Sequence, residues 1–159
     1  MSEEKKLEGI RGWLIFIALG IIVSPIRIVA TTIQSFMELF KSGAWDVLTT
    51  PGTEAYHPLW APVLIGETFL NAALFVGWLY MGYRFFTKSR AFPKWYIAIA
   101  LFTLGFVIID SWAVQMLLPE QRIFSDPDTL SELARALFMV VVWVPYMLVS
   151  KRVKATFVR

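Results

Sequence analysis

The segment WYIAIALFTLGFVIIDSWAVQMLL, Trp95 to Leu118, decides the fold. It carries a single charge, Asp110, and is apolar almost everywhere else. Crossing a hydrocarbon layer of about 30 Å takes roughly 20 mostly apolar residues in a helix. Three further runs have the same character: Gly12 to about Phe40, Pro62 to Phe86, and Leu133 to Val149. None alternates with a period of two, so helices are expected rather than barrel strands. The first run exceeds one crossing, so it is expected to tilt or project, and it is too long for a signal peptide. The expected fold is an all-α integral membrane protein: one domain over residues 1–159, an antiparallel bundle of four transmembrane helices with left-handed packing.

Composition agrees. The chain is 57% hydrophobic and 17% charged, with a mean hydropathy of +0.61. Soluble domains carry about 25% charged residues, and disordered chains combine low hydrophobicity with high net charge. The absence of Cys removes disulfide, thiol and zinc-thiolate chemistry. A single histidine, His57, rules out a multi-histidine metal site or a Ser-His-Asp set built away from it. No Walker-type phosphate loop is present. Neither a metal nor a cofactor is expected, nor a catalytic residue.

The flanks carry topology. Lys5, Lys6 and Arg11 precede the first run, and Arg84, Lys88, Arg90 and Lys94 join the second to the third. Lys151, Arg152, Lys154 and Arg159 follow the fourth. The other two connections hold only Lys41 and Arg122 among seven acidic residues, Glu38, Asp46, Glu54, Glu120, Asp126, Asp128 and Glu132. Basic residues mark the cytoplasmic side, which predicts both termini in the cytoplasm and two acidic loops outside. The net charge of +3 then reflects topology rather than nucleic-acid binding. Trp45 and Trp60 are expected at the outer headgroups, with Trp13, Trp95 and Tyr96 at the inner ones. Gly66, Gly77, Gly82 and Gly105 are read as close-packing points between helices. Asp128 or Ser131 is expected to cap the fourth helix.

The candidate site is a layer of charge inside the spans. Arg27 lies 16 residues from Arg11, Glu67 lies 17 from Arg84, Asp110 lies 16 from Lys94, and Arg135 lies 16 from Lys151. At the helical rise, all four sit about 24–26 Å from the basic side. An unpaired charge at mid-bilayer costs at least about 2.5–3.5 kcal/mol, so Arg27 and Arg135 are expected to face Asp110 and Glu67. Ser24, Arg27, Thr31, Gln34 and Glu38 share one face of the first helix, and Asn71 lies one turn from Glu67. Pro25 removes a backbone hydrogen bond beside Arg27, where a kink is expected. The layer reads as a structural register device, as a ligand or ion site, or as a headgroup contact.

Three segments carry a resemblance: Gly9-Ile10-Arg11-Gly12-Trp13-Leu14, Ser24-Pro25-Ile26-Arg27 and Arg90-Ala91-Phe92-Pro93-Lys94. Over about Leu7 to Lys154 the chain resembles a bacterial inner-membrane family of unknown function, DUF 2569, with Arg11 replacing the first Gly of the family's usual opening pair. The resemblance implies four spans in a bacterial cytoplasmic membrane and transfers no catalytic residue. The expected function is non-enzymatic: an accessory or interaction subunit acting by binding, with membrane lipids and a protein partner or second copy around it. The alternative is a small transporter or channel-like protein that uses the charge layer for an ion, a proton or an anionic ligand.

Overall fold

The computed structural model describes residues 9–159. Lys5 and Lys6 of the first basic flank, and Leu7 at the start of the resemblance, lie outside the described residues. Those described form only helices and connections. Four helical segments are long and apolar enough to cross a bilayer. They are α1 (Trp13–Lys41), α3 (Trp60–Phe86), α4 (Phe92–Leu117) and a composite fourth span, Pro127–Val149. The composite consists of α5 (Pro127–Phe138), a wide π turn (Met139–Trp143) and α6 (Val144–Val149). Short helices α2 (Ala44–Thr49) and α7 (Lys151–Thr156) complete the chain.

The apolar runs give the spans, and local chemistry sets their ends. Gly12, at φ 59°, turns the chain into α1. The fourth span starts at Pro127, six residues before the expected Leu133. Its cap is Asp126 rather than Asp128 or Ser131: the carboxylate accepts from the backbone N–H groups of Asp128 at 3.1 Å and Thr129 at 3.0 Å. Proline suits the first helical position because its missing N–H would have no partner there. The π turn precedes Pro145, whose ring can neither donate to nor fit against the carbonyl one turn back, and a wider turn relieves that conflict. By contrast α1 runs without interruption through Pro25, which is buried.

The packed core occupies the basic end. Its residues are spaced three and four apart: Leu14, Ile17 and Ile21 on α1, Leu74, Trp78, Met81 and Phe85 on α3, and Phe92, Tyr96 and Ile99 on α4. That spacing keeps one apolar seam of each helix facing its neighbours. Gly82 lets α1 approach, since an added Cβ would meet Ile21 at 3.2 Å, and Gly77 receives Ile99 at 3.5 Å. Gly66 and Gly105 have open space around them, so they are not the close-packing points expected. Tyr96 and Trp60 are buried among the helices, whereas Trp13 and Trp95 are exposed.

The C-terminal segment seals this end. Ser150 caps α7 by accepting from Val153 N–H, and Val153, Thr156 and Phe157 turn inward. Phe157 stacks against Phe92 at 4.4 Å and approaches Phe85 at 5.5 Å. Gly9 N–H donates to Thr156 Oγ1, and that hydroxyl donates back to Gly9 O. Arg159 N–H donates to Lys88 O, and Arg90 Nε donates to Val158 O at 2.6 Å. Arg84 donates to Tyr80 Oη and to Ser89 Oγ. Gly9, the C-terminal segment and the basic connection thus meet at one pole.

Candidate functional site

At the opposite pole the helices separate. Beyond Ile21 the inward face of α1 changes to Arg27, Thr31, Thr32 and Ser35, facing Glu67 and Asn71 of α3 and Asp110 and Ser111 of α4. Such groups cannot be packed dry without partners, and the bundle holds a cavity of about 1180 Å³ there. Four carboxylates line it, Glu67 on α3, Asp110 on α4, and Asp126 and Glu132 at the start of α5, with Arg122 on the rim. Glu67 is set apart from water by burial and feels the charges of Asp110 and Glu132, and Asp110, likewise withdrawn from water, feels that of Glu132. The connection between α4 and α5 forms part of the rim. There Gln115 fastens the turn by donating to Gln121 O at 2.6 Å and accepting from Ile123 N–H at 3.0 Å.

A smaller cavity of about 310 Å³ lies between α1 and the fourth span. Arg27, Arg135, Ser24 and Thr103 are on its wall, and Thr31, Asn71 and Glu132 line both cavities. The ion pair of Arg27 and Glu132, 2.9 Å apart, marks their boundary.

This geometry corrects the expected pairing. Arg27 faces neither Asp110 nor Glu67; its partner is Glu132. Among the described residues Arg135 has no ion pair, and Glu67 and Asp110 have no cationic partner within 4 Å. The reason is the early start of α5. It places Glu132 inside the helix, one turn nearer the acidic end than Arg135, where Arg27 reaches it. The four layer residues do share one region, because all line one or the other of two adjoining cavities. They form no closed neutral belt.

The polar stripe divides as well. Ser24 and Thr31 reach the cavities, and Thr31 Oγ1 donates back to Arg27 O at 3.0 Å. Gln34 and Glu38 turn away and bond each other at 3.1 Å. Thr32 and Ser35 take their place on the cavity wall, and sequence spacing alone did not single them out. His57 braces its loop, with Nδ1 accepting from Leu59 N–H at 3.2 Å.

Fold and site together define a multi-pass, all-α membrane protein with polar cavities at one pole. The chain belongs to the family described as "Protein of unknown function (DUF2569)", whose model matches residues 7–158. No curated protein and no solved structure matches it.

Proposed function

We propose that this is a non-enzymatic protein of a bacterial cytoplasmic membrane that binds a cationic group in the larger cavity, with its basic pole in the cytoplasm. One observation carries this reading: Glu67 and Asp110 share a cavity wall with Glu132, and the arginine expected to neutralise them is engaged by Glu132 instead. Their charge is left for a ligand. Among the described residues no group of three ligating side chains converges as a metal would need, and the cavity is as large as sites for drug-sized molecules. An amphiphilic organic ammonium matches both the size and the sign. As an accessory subunit, the protein holds this ligand for a partner in the same membrane.

A second reading, transport, is favoured by the adjoining smaller cavity. It continues past the Arg27–Glu132 pair toward the basic pole, where the Met81, Phe85 and Phe92 layer is closed.

Calorimetric titration of the purified protein with tetraphenylphosphonium tests the binding. Saturable binding is expected, weakened at least about tenfold when Glu67→Gln and Asp110→Asn are combined. Heats indistinguishable from detergent alone, or equal affinity in the double variant, overturn the reading. In liposomes, gradient-driven uptake of the same probe separates transport from binding without movement.

A further inference from the structure

The smaller cavity has a chemistry of its own. α1 and the fourth span meet at two points: Trp13 against Trp143, with ring centroids 6.1 Å apart, and Arg27 against Glu132. Between them a gap remains, walled by Phe16 and Gly20 on one side and by Phe138 and Met139 on the other. Two guanidinium groups stand at its acidic-end margin. Arg27 is already paired, while Arg135 projects from the exposed side of the amphipathic α5 with no anion within 4 Å among the described residues. Thr103 Oγ1, fully shielded from solvent and without a hydrogen-bond partner among the described residues, lines the same gap.

An isolated arginine at membrane depth calls for an anion. Arg135 lies 16 residues before Lys151, about 24 Å along the helix from the basic pole, so it sits close to the headgroups of the far leaflet. Apolar side chains extend from it toward the bilayer centre. We propose that one membrane phospholipid occupies this gap, its phosphate held by Arg135 and an acyl chain lying along Phe16, Gly20 and Met139. The site adjoins the larger cavity, with which it shares Thr31, Asn71 and Glu132, and does not rest on the cation reading. The occupant is a lipid rather than a free anion because the charges of Arg27, Glu132 and Arg135 stand at the margin of the gap, while Phe16, Gly20, Phe138 and Met139 wall an apolar stretch beyond them. Guanidinium binds phosphate through two parallel N–H donors.

Native mass spectrometry of protein taken from vesicles containing phosphatidylglycerol provides the test. One phospholipid is expected to survive delipidation in the wild type. Arg135→Gln should lower its occupancy at least tenfold, while Arg122→Gln, in the exposed connection, should leave it unchanged. Gly20→Leu fills the gap without altering charge, and Gly20 has open space beside it, so this variant should fold, as circular dichroism would show, and lose the lipid. Rebinding of dimyristoylphosphatidylglycerol should exceed that of the matching diacylglycerol at least tenfold. Equal rebinding of the two, or full retention of lipid in both Arg135→Gln and Gly20→Leu, overturns the proposal.

Discussion

The two poles of this bundle use the same four helices for opposite ends. At the basic pole, α1, α3 and α4 meet through residues three and four apart, and Phe157 closes the seam. At the acidic pole the same helices present Arg27, Glu67, Asn71 and Asp110 and enclose space. The lesson is that packing in a membrane protein follows what the inward face can satisfy. Lipid is as apolar as leucine, so burial alone does not hold helices together. Tight contacts and small residues such as Gly82 draw one pole shut. Unmatched polar groups hold the other apart.

The contrast can be broken at either pole. The largest effect is expected from Phe92→Ala. Phe92 is fully buried and touches the rings of Phe85, Tyr96 and Phe157. Truncating a core phenylalanine costs about 3–5 kcal/mol. Phe36→Ala at the open pole, where Phe36 is exposed, should cost less than about 1 kcal/mol. Unfolding of the two detergent-solubilised variants by a denaturing surfactant compares them directly. Equal losses would show that the poles are not packed differently.

A smaller effect concerns the boundary pair. Reversing the charge in Arg27→Glu places a further carboxylate beside Glu67, Asp110 and Glu132. The further change Glu132→Arg should restore the pair. Polar contacts between membrane helices are worth about 0.6–1.7 kcal/mol, and both side chains here are partly exposed, so a coupling of about 1 kcal/mol is expected from the cycle. If the double variant is no more stable than the sum of its singles, the pair does not join α1 to the fourth span.

Next in size is Glu67→Gln. It removes one of the carboxyl groups crowded on the cavity wall, so the empty protein should melt higher by a few degrees while losing cation affinity. This is the usual signature of a site that trades stability for function. A lower melting temperature would mean that Glu67 is satisfied by a contact within the fold and is not free for a ligand.

How much of this was legible in the chain follows from range. Span number and composition are local, and the runs around Gly12, Pro62, Trp95 and Leu133 disclosed them. The depth of Arg27, Glu67, Asp110 and Arg135 is also local, because each is counted along one helix from its own basic flank. Pairing is not local. It depends on rotation about each helix axis and on where a helix starts, and the hydropathy of Leu133 to Val149 hid the polar first turns of α5. The signal was nonetheless present in Asp126-Pro127, a cap followed by the proline that favours a first helical turn. Reading it would have placed Glu132 inside the helix. α7 was obscured for a similar reason: Val153, Thr156 and Phe157 form an inward face among four basic residues, too short to register as an apolar run.

That same cap yields the smallest effect and the finest test of why α5 begins where it does. Hydrogen bonds from the backbone N–H groups of Thr129 and Asp128 and from the Thr129 hydroxyl hold the Asp126 carboxyl below its ordinary value of 3.8. A lowered folded-state value means that the ionised cap stabilises the helix above about pH 4 and is lost as pH falls through the folded value. Hydrogen exchange at Thr129 and Leu130 should therefore gain protection-factor loss on acidification below pH 4, with the fourth span otherwise unchanged. Asp126→Asn keeps a side-chain acceptor that does not titrate in this range, so its first-turn protection should stay flat over the same interval. An identical acid response in both proteins would assign the effect to another carboxylate at the open pole, and the early start of α5 would then need a cause other than this cap.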